Sequence, residues 1–219
     1  MPEEVAAYVR ELIISGKAKP GEFLRMEPIA EAVGVSITPV REGLLALSGE
    51  GFVELVPRRG FVVTNFTPED VRDIFWAQAQ FAGELAARAA KRSTPADLDR
   101  LREIQRELDA AIEAGDEARV AELGHVFHRQ VNRLAASPRL ARLLKLVVSQ
   151  LPNTFYAAIE GHLETTSHDH EELLRHLQRS NGTKARAVMS AHIMHGADRL
   201  VEMLNSRGLW SATEDARAG

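Results

Sequence analysis

The chain has 219 residues, with 27 Lys and Arg against 31 Asp and Glu, eight His, no Cys, 45% hydrophobic residues and 5% aromatic ones. This length serves one or two domains, and the lack of cysteine excludes disulfides, thiolate zinc sites, iron–sulfur clusters and a thiol nucleophile. A formal charge of −4 excludes a basic nucleic-acid arm, and neither a secretory signal nor an apolar run near the roughly 20 residues that span a bilayer is visible, so a cytoplasmic protein without a membrane partner is expected.

The predicted elements fall into two groups. Through residue 66, Gly and Pro punctuate the chain so densely that its elements must be short. Val5, Val9, Leu12 and Ile13 form the stripe of a first helix. Ile29, Ala30 and Val33 predict a short second helix that ends at a left-handed Gly34. A third helix, with Ser36 as its cap and Pro39 tolerated in its first turn, buries Val40, Leu44 and Leu47. Residues 52–56 and 61–64 then read as two strands joined by Pro57-Arg58-Arg59-Gly60, a hairpin with a basic tip. Helix, short helix, turn, helix and basic hairpin make a winged helix-turn-helix.

After residue 66 the pattern is helical throughout. Thr67-Pro68, Thr94-Pro95 and Ser137-Pro138 each place a hydroxyl at a cap and proline at the first helical position. Helices are predicted over 68–92, 95–114, 117–136, 138–150, 153–160, 164–180 and 184–206, with Pro152 breaking the fourth and Ser180-Asn181-Gly182 closing the sixth. The expected architecture is therefore mainly α: a winged helix-turn-helix at 1–66, an all-helical antiparallel bundle at 67–212, and a flexible tail at 213–219.

Two constellations carry chemistry. In a helix-turn-helix the N-terminal end of the recognition helix enters the major groove of double-stranded DNA. Ser36 and Thr38 stand at that end, and Arg41, one turn on, can reach guanine or phosphate. Arg58, Arg59 and Gly60 at the wing tip suit the minor groove or the backbone. Residues 1–66 hold seven Lys and Arg against nine Asp and Glu, so attraction for DNA must be confined to this face. In the bundle, His128 flanks the stripe of Val120, Leu123, Phe127 and Val131. His170 leads Leu173, Leu174 and Leu177, and His192 lies between Met189 and Gly196. Singly, each reads as a hydrogen-bonded core histidine, but three on three helices can converge as an all-nitrogen metal site. His162, His168, His176 and His195 read as solvent-facing or loop residues.

The stretch from Pro20 to Val63 closely resembles the winged-helix signature of GntR-family bacterial transcription regulators. The run Val35-Ser36-x-Thr38-Pro39-Val40-Arg41-Glu42, the Gly49-Glu50-Gly51 step and the Pro57-Arg58-Arg59-Gly60 wing carry the likeness. It implies DNA contacts at Ser36, Thr38, Arg41, Arg59 and Gly60, with Ile37 where the family usually has Arg. Phe127-His128, His170-x-x-Leu173-Leu174 and Met189-x-x-His192-Ile193, with Leu85-Ala86-Ala87, are similar to the FCD-type effector domain of the FadR subfamily. That resemblance implies a divalent metal (zinc, nickel or manganese) on His128, His170 and His192, which in turn holds a small carboxylate effector.

This chain departs from the pattern twice. Gly124 replaces an Asp ligand, although His125 beside it can reach the same face. Gln78 replaces an Arg that would clamp a carboxylate, so Gln78 and Trp76 suit a larger or less charged effector. The expected function is a homodimeric repressor on a palindromic operator, released or repositioned by a small-molecule metabolite, and not an enzyme. Two alternatives keep the fold. One is a histidine-metal enzyme fused to a DNA-binding head, for which Glu122 and Glu171 point the wrong way. The other is an effector domain whose histidines bond the ligand without metal.

Overall fold

The computed structural model describes residues 1–152, 155, 156 and 163–210. The tail at 213–219 and the helix expected over 153–160, apart from Phe155 and Tyr156, lie outside them. The chain divides into two compact units, one of residues 1–70 with 150–152 and 201–219, the other of residues 71–149 with 153–200.

In the first unit, helices α1 (Pro2–Ile14), α2 (Met26–Val33) and α3 (Ile37–Gly49) pack with strands β1 (Phe23–Leu24), β2 (Val53–Val56) and β3 (Gly60–Val63). The predicted stripes meet in one core, in which Val5, Val9, Val40, Leu44 and Leu47 are fully buried. Gly34 closes α2 at φ 74°, the left-handed cap expected of it. Gly43 is needed for space rather than for backbone freedom. A Cβ there would lie 2.8 Å from the Pro2 carbonyl oxygen and 2.9 Å from Val5, so its bare backbone lets α1 cross α3 closely. The hairpin is joined by a strand that sequence patterning missed. β1 pairs antiparallel with β3, Phe23 opposite Val62 and Leu24 opposite Phe61, giving sheet order β1-β3-β2. Two residues are too few for alternation to register.

One ion pair pins this unit. The Arg10 guanidinium, nearly buried, donates to Glu50 Oε2 at 2.6 and 3.2 Å and lies over the Phe52 ring. The Gly49-Glu50-Gly51 step thus ties the first helix to the turn leaving the third. Glu50→Ala should strand the Arg10 charge and cost about 1–3 kcal/mol, measured as a lower melting temperature of the full chain. An unchanged melting temperature would show that this pair does not hold the fold.

The helices of the rest of the chain are α4 (Pro68–Ala90), α5 (Pro95–Glu113), α6 (Glu117–Leu134), α7 (Pro138–Val148), α8 (Leu163–Gln178) and α9 (Gly182–Ser206). Thr67 with Asp70 and Thr94 with Asp97 form reciprocal caps, as their sequences predict. Ser137 does not cap: its hydroxyl accepts from Arg88 Nη1 at 2.9 Å. Ser180-Asn181 closes α8 as expected, Ser180 being left-handed at φ 52° and the Asn181 amide donating to the His176 carbonyl at 2.9 Å, and Asn181 has a second role. Its Oδ1 accepts from the Lys184 amide, so it opens α9 at Gly182. Leu85, Leu101, Ile104, Leu108, Phe127, Leu173, Leu177 and Met189 form the bundle core. Among the described residues, no helix is long and apolar enough to cross a membrane.

Candidate functional site

At the start of α3 the buried and exposed faces separate cleanly. Val40, Gly43 and Leu44 are buried, while Ser36, Ile37, Thr38 and Arg41 are exposed. Ser36 occupies the cap position with extended backbone but makes no side-chain cap bond, so its hydroxyl is not consumed by the helix. Ile37, at 40% exposure, puts an apolar side chain on the surface beside these polar groups.

The wing is a tight turn in which the Arg59 amide donates to the Val56 carbonyl at 3.1 Å, and Arg58 takes a left-handed backbone at φ 64°. Arg58 and Arg59 are exposed and Gly60 begins β3. The Arg59 guanidinium stacks 4.4 Å from the centroid of Phe23, so the unpredicted strand supplies the platform that orients it. Arg59→Ala should weaken DNA binding and flatten the slope of log affinity against log salt by about one unit, the signature of one lost phosphate contact. A titration with unchanged slope would exclude that contact.

The bundle brings His128 (α6), His170 (α8) and His192 (α9) together, one ring nitrogen from each lying within 4.8 Å of the others. His128 Nε2 and His192 Nε2 are 3.2 Å apart. Two networks set the tautomers. Gln105 donates its amide NH₂ to Asp109 Oδ1 at 2.8 Å, which aims its Oε1 at His170 Nδ1, 2.9 Å away. The Nδ1–H of His170 therefore donates to Gln105 and leaves the Nε2 lone pair free. That Nε2 is buried without a hydrogen-bond partner. In the same way His192 Nδ1 donates to Asp169 Oδ2 at 3.2 Å, leaving its Nε2 turned towards His128.

Electrostatics favour the same state. Burial first, then the neighbouring histidines, holds His128 and His170 well below the usual imidazole range, so both are neutral near pH 7. Burial raises the Asp169 carboxyl, but hydrogen bonds and charge from His192 and His195 outweigh it and keep the group anionic. Imidazoles braced by a carboxylate and an amide through their far nitrogens form the usual surroundings of a metal site. The donor set, with its orphaned nitrogen, fits a divalent ion.

A cavity of about 1000 Å³ opens beside this cluster within the second unit. His128 and His192 line it, whereas His170 lies behind them, outside the lining. Gln78 is a wall of the cavity, held by a 2.7 Å hydrogen bond to the Tyr156 hydroxyl. Burial keeps that phenol protonated, and it donates onward to the Val148 carbonyl.

Several expectations need correction. Trp76 is 59% exposed and does not line the cavity, because one step from the inward Phe75 turns it to the outer face of α4. His170 is not among the residues that line the cavity. His195 is solvent-facing, as read from the sequence, and it also lines the cavity and lies 3.6 Å from Asp169. His176 is not solvent-facing, since its Nδ1 is buried and its Nε2 lies 3.5 Å from Glu172. His162 lies outside the described residues, and His168 is exposed. His125 also lines the cavity, but its ring lies edge-on to Tyr156 and it stands outside the three-histidine group. Sequence reasoning missed Asp169, Gln105 and Tyr156. Gln105 alone left a signal, as a polar residue amid the apolar stripe of Leu98, Leu101 and Leu108.

Comparison with known proteins matches the two parts of the chain separately. Residues 2–63 match the family described as bacterial regulatory proteins, gntR family, and residues 73–195 match the FCD domain. The uncharacterized HTH-type transcriptional regulator YdhC of Bacillus subtilis (strain 168) is 26% identical over 202 residues, 90% of this chain and 89% of the relative. The HTH-type transcriptional regulator LutR of the same strain is 26% identical over 212 residues, 86% of this chain and 96% of that one. Among solved structures, Escherichia coli McbR/YncC superposes with a TM-score of 0.64 at 24% identity, covering 94% of this chain and 97% of the other, which supports the fold.

Proposed function

The chain belongs to the GntR family of bacterial transcription regulators and carries an FCD domain, and from that premise we propose a metal-dependent, ligand-responsive repressor that binds a palindromic operator as a homodimer. Arg41, Ser36 and Thr38 read the major groove, Ile37 offers an apolar contact to thymine methyl groups, and Arg58, Arg59 and Gly60 hold the flanking backbone. In the helical domain His128, His170 and His192 would hold a divalent ion, which when bound supplies a Lewis-acidic anchor for an acid group of the effector. The remaining residues bind and orient: Gln78, fixed by Tyr156, offers a neutral amide, and Asp169 and Gln105 hold the imidazoles in register.

The observation that carries the metal reading is the buried, unpartnered Nε2 of His170 beside the other two imidazoles. His170 does not line the cavity, which supports a ligand held through an ion over one bonded directly to that ring. The enzyme alternative gains nothing here, because Glu122 is exposed and ion-paired with Arg119, and Glu171 is exposed.

Occupancy by effector changes operator affinity only if the ligand binds one state of the protein better than the other. The test is selection of bound fragments from the source genome, followed by gel shifts with and without a chelator. One enriched palindrome, bound by a dimer, is the expected result. Failure to enrich any sequence would overturn the proposal.

A further inference from the structure

The charge around the cavity specifies the shape of the ligand beyond one metal-held acid group, an inference that rests on the effector reading above. From Leu123 to Ile159 the chain has no Asp or Glu, yet it carries Arg129, Arg133, Arg139, Arg142 and Lys145 in a protein of net charge −4. The fold sorts these cations. Arg129 and Arg133 line the cavity from α6 and Arg142 and Lys145 from α7, while Arg139 does not; Arg199 adds to the lining from α9. Among the described residues, the only carboxylate in that lining is Asp169, already engaged by His192 and His195.

Arg129, Arg133, Arg142 and Lys145 are exposed and form no ion pair among the described residues. Gathering like charges on one cavity in an acidic protein costs self-repulsion, which a bound anion offsets. Distance separates part of this group from the histidines, although Arg129 directly follows His128 on α6. At about 1.5 Å of rise per residue, Arg133 lies about 7.5 Å along α6 from His128, and Arg199 about 10 Å along α9 from His192. The rest of the lining is largely uncharged, with Phe75, Gln78, Leu144, Val148 and Ile193. A cavity of about 1000 Å³ also exceeds what a two- or three-carbon acid fills.

We infer that the cavity takes a two-ended anion: one acid group at His128 and His192, and a second, carboxylate or phosphate, held by Arg133, Arg142 and Lys145. Guanidinium groups pair both kinds of oxyanion through forked hydrogen bonds, so the chemistry common to the two is what the site selects.

Calorimetry on the full-length, metal-loaded protein tests this with three probes of equal chain length: hexanoate, adipate and 6-phosphonohexanoate. At least one of the two-ended acids should bind about tenfold or more tighter than hexanoate, the worth of one charge-assisted contact, and the tighter of the two tells carboxylate from phosphate. In the double variant Arg133→Gln/Arg142→Gln that ratio should collapse to about one, whereas Arg139→Gln, on the same basic helix but off the lining, should keep it. Equal binding of all three probes, binding of none, or a ratio that survives the double variant overturns the inference. Metal analysis of the same preparation before any acid is added reports separately on the underlying site. An ion-free protein that keeps the ratio would overturn the metal reading and leave the two-ended ligand standing.

Discussion

Replacing Arg41 with alanine is expected to abolish specific operator recognition while leaving the fold intact. Arg41 is exposed at the start of the recognition helix and packs into no core. A bidentate arginine contact to guanine contributes about 1–3 kcal/mol of discrimination, and the proposed dimer would lose it at both half-sites, so about 2–6 kcal/mol is at stake. Footprinting or gel shifts on the selected operator should show loss of the specific complex, with circular dichroism and melting temperature unchanged. Retention of both affinity and sequence selectivity would remove Arg41 from the reading surface. The contrast with Arg59 is informative, because a phosphate contact weakens binding to every sequence alike, whereas a base contact weakens binding to the operator alone.

The second large effect concerns the histidine cluster. Wild-type protein is expected to carry about one divalent ion per chain by elemental analysis, and His192→Ala to lose it. His170→Ala should lose it as well. His170 stacks at 4.0 Å on Phe127 inside the core, so its removal also leaves a cavity, and half-buried His192 is the cleaner probe. Gln105→Leu removes only the group that orients His170, and a reduction of metal affinity by about 10–100-fold follows.

Acid should act in the same direction. Because burial lowers the folded-state values of His128 and His170, the unfolded chain binds more protons than the folded one. Their contribution to stability is complete above about pH 6.5, the ordinary imidazole value, and is lost as pH falls below it. The metal-free protein should therefore melt at a lower temperature at pH 5.5 than at pH 7.5. Stabilisation by added metal should fade over the same interval, since protons compete for the same nitrogens. A wild type free of divalent ions, or a His192→Ala variant with wild-type metal content, would sink the site.

Much of this protein was legible along the chain because the relevant signals are local. The capping boxes at Thr67 and Thr94, the Gly34 turn, and the apolar stripe of Val40, Leu44 and Leu47 depend on residues within about one or two helical turns of each other. The inward histidines were visible for the same reason, each placed beside apolar neighbours on its own helix. Where local signals were thin, the reading slipped. A two-residue strand at Phe23 carries no periodicity, Ser137 has the composition of a cap but spends its hydroxyl on Arg88, and Trp76 has the right chemistry on the wrong face.

What the sequence determined by itself is the class of machine: a winged helix-turn-helix with arginines on its reading elements, followed by a helical domain with three inward imidazoles and an acid-free basic stretch. Only the tertiary structure decided which groups serve those features. Phe23 under Arg59, Glu50 against Arg10, Gln105 behind His170, Asp169 behind His192 and Tyr156 against Gln78 are each pairings across separate elements. The physical reason is one of range. Helix caps and amphipathic faces arise from the backbone period and are written in adjacent residues, whereas a tautomer, a stacked guanidinium or the wall of a cavity is set by whichever distant side chain packing brings within about 3–5 Å.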